Sequence, residues 1–125
     1  MRDLPLNIDI EVNGTKYKLV HASPVEWYHD VGFDCEAEFA VWHRLPERIA
    51  ETDYVLIHGH TPTMYYQDGN PLSIWHTGNR FDIDCGSGFE DGFAKGKVFK
   101  PGGRLACLRL DDMKVYYSEE VWDQK

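Results

Sequence analysis

Alternating apolar and polar positions mark the start of the chain. The segment "NIDIEVNGTKYKLV" alternates on both sides of Asn13-Gly14, and this dipeptide between two alternating runs is a strong signal for a β-hairpin. The second strand of the hairpin is predicted over Lys16–His21. It ends at the "HASP" segment, because Pro24 has no backbone N–H and stops regular structure.

The only strong helical pattern covers residues 34–52. Phe39, Trp42 and Leu45 recur at helical spacing, which predicts a helix that ends near Leu45. Pro46 interrupts this pattern and is favoured at the first position of a helix, so a second, short helix is predicted to begin there.

Several later segments have the pattern of strands. The continuous apolar run Tyr54–Ile57 predicts a strand that is covered on both faces. The segment "MYYQDGNPLSIW" predicts a hairpin around Asp68-Gly69-Asn70. The segment "KVFKPGGRLACLRLDDMKVYYSEE" predicts three more strands, with turns at Pro101-Gly102-Gly103 and at Asp111-Asp112.

The segment "RFDIDCGSG" alternates cleanly. The alternation places apolar residues and cysteine on one side, namely Phe81, Ile83 and Cys85, and Asp82 and Asp84 on the other. Together with the other segments, it brings the prediction to roughly seven or eight strands and one or two helices. The sequence therefore predicts a strand-rich α+β fold, organised as one domain over residues 1–125.

Composition narrows the class of protein. The chain has 125 residues, of which 42% are hydrophobic and 14% aromatic, as in a packed globular domain. The net charge of −8 disfavours binding to nucleic acid. No apolar run approaches the roughly 20 residues of a membrane span, and the N-terminus lacks a signal-peptide core. Three scattered cysteines without a C-x-x-C pair fit free thiols in the cytoplasm.

Histidines follow two of the predicted strands. His21 ends "KLVHASP", and His60 follows the strand in "YVLIHGHTP". Neutral imidazoles at the ends of strands are common metal ligands. A single histidine at a strand end is more often a hydrogen-bonded structural residue, but two of them at one rim of a sheet make a shared metal site an equal alternative.

Five short motifs, in order, resemble a known family. "LVHASP", "VWHR", "VLIHGHTP", "FDIDCGSGF" and "GRLACLRLDD" are similar to the second half of the calcineurin-like metallophosphoesterases. The most similar branch is that of bacterial serine/threonine protein phosphatases and diadenosine tetraphosphatases. The resemblance covers almost the whole chain. It implies the C-terminal half of an αββα sandwich with a mixed sheet, and the hydrolysis of phosphate esters.

The resemblance implies roles for individual residues. His21 matches the metal-ligand histidine of the family's "VHAG" motif, although Ser23 replaces its glycine, and His60 matches the ligand histidine of "GHTP". In the family both histidines bind the same one of two metals, such as Mn²⁺, Fe or Zn²⁺. Arg44 matches a "WxR" arginine that holds the substrate phosphate, for which the guanidinium fork is suited. His58 is interpreted as structural or as support for the ligands.

Other parts of the family pattern are structural or missing. Asp84 and Gly86 fit a "DTG" turn in which Cys85 replaces threonine. The family's "GDxHG", "GDxxDRG" and "GNHE" segments do not occur in the sequence. We therefore expect either a piece of a longer protein or a truncated reading frame, with at most one partial metal site and negligible phosphatase activity by itself.

Two alternatives remain open at this stage. The first is a non-catalytic interaction module that uses the open edge of its sheet. The second is a small metal-binding protein that uses His21, His58 and His60. In the family, the upstream half would cover sheet faces and edges that include parts of the apolar runs 17–20 and 54–57. We therefore expect these surfaces to be exposed here and to drive formation of a homodimer or larger assembly.

Overall fold

A computed structural model of the chain describes residues 5–29, 31–68, 72–87, 92–94, 97–99 and 103–118. The described part contains one α-helix, two 3₁₀ turns and nine strands. The strands are β1 Asn7–Val12, β2 Thr15–Val20, β3 Val55–His58, β4 Trp75–Thr77, β5 Arg80–Asp82, β6 Gly92–Ala94, β7 Lys97–Phe99, β8 Ala106–Arg109 and β9 Lys114–Tyr117. The helix is α1 Glu36–Trp42, and the 3₁₀ turns are Val25–Trp27 and Thr63–Tyr65. The predicted strand-rich α+β class is confirmed.

The chain divides into two compact units. The first unit comprises Met1–Thr61 and Thr77–Phe81, and the second comprises Pro62–His76 and Asp82–Lys125. The main sheet has the strand order β1-β2-β3-β5-β4. It is mixed, because β1 and β2 are antiparallel whereas β2 and β3 are parallel.

The hairpin at the start of the chain is confirmed. β1 and β2 pair with Val12 opposite Thr15, so the connecting turn is Asn13-Gly14 as predicted. Both turn residues have positive φ, 51° at Asn13 and 81° at Gly14, which matches a turn that follows the right-handed twist of the strands. The second strand begins and ends one residue earlier than the predicted Lys16–His21.

The helical prediction was partly wrong. α1 ends at Trp42, and residues 43–52 contain no second helix. In a continuing helix the carbonyl of Ala40 would accept the N–H of Arg44. It accepts the N–H groups of Ala22 and Ser23 instead, at 3.2 and 3.3 Å. The loop after β2 therefore competes with the helix for its last turn.

The second unit has its own small core. Met64, Leu72 and Cys85 are buried there, and partly buried residues pack around them, namely Ile74, Ala106 and Tyr117. The predicted strand pair around Asp111-Asp112 is confirmed, since β8 and β9 pair with Arg109 opposite Lys114.

Two strand predictions in this region need correction. The alternation in "RFDIDCGSG" does not form one long strand, because β5 ends at Asp82. Asp82 is fully buried, and its Oδ1 accepts the N–H of Asp84 at 3.0 Å. The hairpin expected around Asp68 begins with the 3₁₀ turn Thr63–Tyr65 instead of a strand. Residues 69 and 70 of that turn, like residues 101 and 102 of another, lie outside the described residues.

The three cysteines are free thiols, as predicted. Cys35, Cys85 and Cys107 form no disulfide. Burial raises the pKa of Cys85 to about 12, so this thiol stays protonated and packs as a small apolar group. Within the described residues, none of the helical structure is both long and apolar enough to cross a membrane.

The hairpin turn gives a first prediction. Gly14→Ala should lower the free energy of unfolding by about 1–2 kcal/mol, because a left-handed backbone costs that much for a residue with a Cβ. A Cβ at this position would meet no atom within 4 Å, so the loss comes from the backbone alone. Urea titration measures it. Gly14→Asn is the control and should lose less, because asparagine tolerates this conformation; an alanine variant as stable as the wild type would contradict the turn geometry.

Candidate functional site

The two histidines predicted as ligands follow neighbouring strands. β2 and β3 are parallel, with Leu19 opposite Ile57, so both strands end at the same edge of the sheet. Beyond the last paired residues, the N–H of Gly59 donates to the carbonyl of His21 at 2.8 Å. The loop containing His60 is therefore fixed to the loop containing His21 by one further backbone hydrogen bond.

The imidazole rings of His21 and His60 lie side by side. Their centres are 5.2 Å apart, and the ring planes are inclined at 48°. Two imidazole nitrogens that share a zinc ion each lie about 2.0–2.1 Å from it, so they are at most about 4 Å from one another. Rings at the observed separation can meet that condition through nitrogens on their facing edges.

Backbone conformation and one hydrogen bond orient His60. Its φ is 70°, a left-handed conformation that is uncommon for a residue with a side chain and that often occurs at functional sites. Its Nε2 lies 3.0 Å from the carbonyl oxygen of Trp42. A carbonyl can only accept, so Nε2 carries the proton and a neutral His60 has its lone pair on Nδ1. Metal-binding histidines commonly donate their second ring N–H in this way.

The indole of Trp42 also lies beside this site. Its ring meets the ring of His60 edge to face, with the centres 5.6 Å apart and the planes at 86°. Trp42 is the last residue of α1 and is 63% exposed. His60 is thus held from one side by the carbonyl and the ring of a single residue.

His58 has a different environment. It is 1% exposed, and its Nε2 accepts the Nε–H of Arg80 at 2.9 Å. Its Nδ1 then carries the proton and donates to the carbonyl of Gly59 at 3.3 Å. Burial, with the neighbouring guanidinium as a second cause, lowers the pKa of His58 to about 3. Both ring nitrogens serve the fold, which agrees with the structural interpretation of His58 and does not support a site of three histidine ligands.

The segment after α1 carries the predicted phosphate-binding residue. Arg44 is exposed and lies two residues beyond Trp42. Between them, His43 stacks on Phe39, with ring centres 4.5 Å apart. Arg44 thus follows two residues that are both held in place, and the first of these contacts His60.

Ser23, which departs from the family's glycine, has a defined role. Its side chain is fully buried, and its Oγ forms a 2.8 Å hydrogen bond with Nδ1 of His43. Burial lowers the pKa of His43, which favours the neutral imidazole in this bond. The bond connects the loop of His21 directly to the segment that carries Arg44.

Arg80 is the residue at this site that sequence reasoning missed. It is 2% exposed, and its guanidinium reaches His58 and the segment after α1. Arginine is seldom fully buried, and nothing in "GNRFDID" distinguishes this arginine from a solvated one at the start of a strand.

A complete metal shell is not formed by the described residues. Among them, no group of three or more histidine, cysteine, aspartate or glutamate side chains is close enough to hold one ion. Structural zinc sites use four protein ligands and catalytic ones three. His21 and His60 alone would offer two nitrogen donors, which is fewer than either kind of site uses.

The residues that match the "DTG" turn lie in the second unit and act structurally. Oδ1 of Asp84 accepts the N–H of Gly86 at 3.0 Å, and Gly86 has a φ of 72°. The N–H of Arg104 donates to the carbonyl of Cys85 at 2.9 Å. The "GRLACLRL" segment therefore packs at this turn.

Comparison with known proteins adds no assignment. No protein-family model matches the chain, and no curated protein matches it significantly.

Burial of His58 gives a prediction about pH. The unfolded chain protonates His58 near pH 6.5, whereas the folded protein keeps it neutral down to about pH 3. Between these values the unfolded state binds more protons, so the free energy of unfolding falls as the pH falls. Between pH 6.5 and pH 4.5, His58 should lower the free energy of unfolding by about 2 kcal/mol.

His58→Gln is the comparison that isolates this effect. Glutamine keeps an acceptor for Arg80 but does not titrate. The free energy of unfolding of the variant should therefore fall less than that of the wild type over the same pH range. Chemical denaturation at several pH values measures both proteins. Identical pH dependence would show that His58 titrates normally in the folded state.

Proposed function

We propose that this chain provides part of the active site of a cytoplasmic, metal-dependent phosphoesterase. His21 and His60 hold one divalent metal, and Arg44 binds the phosphate group of the substrate. The further ligands of a dinuclear centre come from outside the described residues. The observation that carries the proposal is the approach of the two imidazoles to 5.2 Å.

The chemistry of the two histidines fits this role. A neutral imidazole donates a lone pair to Mn²⁺, Fe or Zn²⁺. His60 directs its Nε2–H to the carbonyl of Trp42, so a neutral His60 has its lone pair on Nδ1. A divalent metal held by His21 and His60 would supply Lewis acidity toward the oxygens of a phosphate ester.

Arg44 supplies the charge that binds the substrate. Its guanidinium is exposed, and the planar fork donates two parallel hydrogen bonds to a phosphate. An overall charge of −8 repels a phosphate ester at long range, so binding needs a local cation of this kind. The substrate class is a phosphorylated molecule, either a phosphoprotein or a dinucleoside polyphosphate.

Metal titration tests the proposal. Zn²⁺ or Co²⁺ should bind with a one-to-one stoichiometry, and both His21→Ala and His60→Ala should weaken binding at least about tenfold, because each removes one of the nitrogen ligands. Isothermal titration calorimetry measures the affinity. His76→Ala is the matched control, since His76 is an exposed histidine on β4, and it should bind the metal like the wild type.

Phosphate binding tests the role of Arg44. Inorganic phosphate should bind to the metal-loaded protein, and Arg44→Ala should weaken phosphate binding without changing metal affinity.

Two results of the metal titration would contradict the proposal. One is equal metal binding by the wild type and both histidine variants, and the other is loss of metal binding in His76→Ala.

A second candidate function, assembly with another copy of the chain, has its own support. β1 is the outermost strand of the main sheet, and its Ile8 and Ile10 are 45% and 36% exposed. A cavity of about 540 Å³ lies on the same unit, lined mostly by apolar residues. These are Pro5, Leu6, Ile8, Leu19, Val20, Ala40 and Val41, with His21. Edge strands and exposed apolar surface of this kind promote association.

We expect the chain to form a homodimer or a larger assembly through β1. Burial of each large apolar side chain contributes roughly 1.5–3 kcal/mol, whereas repulsion between the charges is screened within about 10 Å at 0.1 M salt. Light scattering at micromolar concentrations should report at least twice the mass of one chain. Ile8→Lys should shift the mass to that of a monomer, and the control Val31→Lys, at a residue that is 73% exposed, should not. A monomeric wild type would contradict this candidate.

A further inference from the structure

Arg80 is buried in a place where an apolar residue would be expected. It begins β5 and is 2% exposed. Burying a charged group costs several kcal/mol unless hydrogen bonds compensate, and apolar replacements of buried ionic groups are often as stable or more stable. Stability alone therefore does not account for an arginine here, and its contacts point to a positioning role.

The guanidinium connects three parts of the first unit. Its Nε–H donates to Nε2 of His58 at 2.9 Å. Its Nη1 donates to the carbonyls of Pro46 and Glu47, at 2.6 and 3.2 Å. One side chain thus connects β5, the end of β3 and the segment that follows α1.

The first connection leads to both candidate ligands. Because Nε2 of His58 accepts from Arg80, its proton lies on Nδ1 and is donated to the carbonyl of Gly59. The same carbonyl accepts the N–H of Thr61 at 2.8 Å, and the N–H of Gly59 donates to the carbonyl of His21 at 2.8 Å. Gly59 is therefore held at both of its backbone groups, and the next residue, His60, takes its left-handed conformation there.

The second connection leads to His60 through the segment after α1. Pro46 and Glu47 lie in the non-helical segment that follows Trp42, the last residue of α1. The carbonyl of Trp42 accepts from Nε2 of His60 at 3.0 Å. This segment has left the helical path at His43, where ψ is 136°. The hydrogen bonds from Arg80 hold the segment in place where helical hydrogen bonds do not.

We propose that Arg80 is the positioning residue of the metal pair: it fixes the backbone of Gly59 through His58 and the segment after α1 through Pro46 and Glu47, so that His21 and His60 present their nitrogens to one ion. The proposal rests on the metal-binding function proposed above. Hydrogen-bonded partners that orient metal ligands in this way change metal affinity by about 10–100-fold when they are removed.

Two variants of Arg80 test the role. Arg80→Met keeps the length of the side chain and removes every donor, and it should raise the dissociation constant for Zn²⁺ at least about tenfold. Arg80→Lys keeps one charged donor and should cause a smaller rise. The matched control is Leu72→Ala, which truncates a 1% exposed residue of the second unit. It should lower the urea concentration at which half of the protein is unfolded and leave the Zn²⁺ affinity unchanged.

A measurement without metal separates this proposal from the proposed function. In the metal-free protein, NMR should show a cross-peak between the ring protons of His21 and His60, and the Nδ1–H tautomer of His58. Both features should be lost or weakened in Arg80→Met and kept in Leu72→Ala. If the wild type binds no Zn²⁺ but these signals change as stated, the metal function fails while the positioning role stands.

The positioning role is overturned by two results. One is an Arg80→Met protein that folds, binds Zn²⁺ like the wild type and keeps the histidine cross-peak. The other is an equal loss of Zn²⁺ affinity in Leu72→Ala and Arg80→Met, which would mean that Arg80 acts only through stability. If Arg80→Met does not fold, the same comparison is made with Arg80→Lys, where unchanged affinity and an unchanged cross-peak would reject the proposal.

Discussion

The parallel pairing of β2 with β3 is the constraint on which the candidate site depends. Strands that run side by side in the same direction end at the same edge of a sheet, so the residues that follow them meet. Here the pairing of Leu19 with Ile57 is continued by the hydrogen bond from Gly59 to His21. An antiparallel arrangement would place the two histidines at opposite ends of the strands.

Hydrogen bonds around that edge fix the orientation of the loops that carry His21 and His60. Ser23 bonds to His43, His60 to Trp42, and Arg80 to both His58 and Pro46. Each such bond contributes about 1 kcal/mol net, but together they fix the loops after β2 and β3 to the segment after α1. That segment is not helical, because the loop amides take the carbonyl of Ala40 from the helix. The early end of α1 and the geometry of the site therefore have the same cause.

Sequence patterns predicted the features that depend on local chemistry. Asn13-Gly14 determines its turn because few residues tolerate positive φ. His21 and His60 could be placed because they lie one and two residues beyond the ends of apolar strands. Patterns failed where distant residues compete for one group. The end of the helix at Trp42 could not be predicted, because the hydrogen bond from the N–H of Ser23 to the carbonyl of Ala40 is not visible in the local sequence. Arg80 could not be recognised as buried either, because its acceptors lie more than 20 residues away in sequence, at His58 and at Pro46 and Glu47.

The central claim is that the fold presents His21 and His60, but not His58, to a single divalent ion. The most direct measurement is anomalous X-ray scattering from a crystal of the protein soaked in Mn²⁺ or Zn²⁺. We expect one strong peak about 2.0–2.1 Å from a ring nitrogen of both His21 and His60, with His58 still bonded to Arg80. A peak at other histidines, a peak bound by only one of the pair, or no peak at millimolar metal would contradict it.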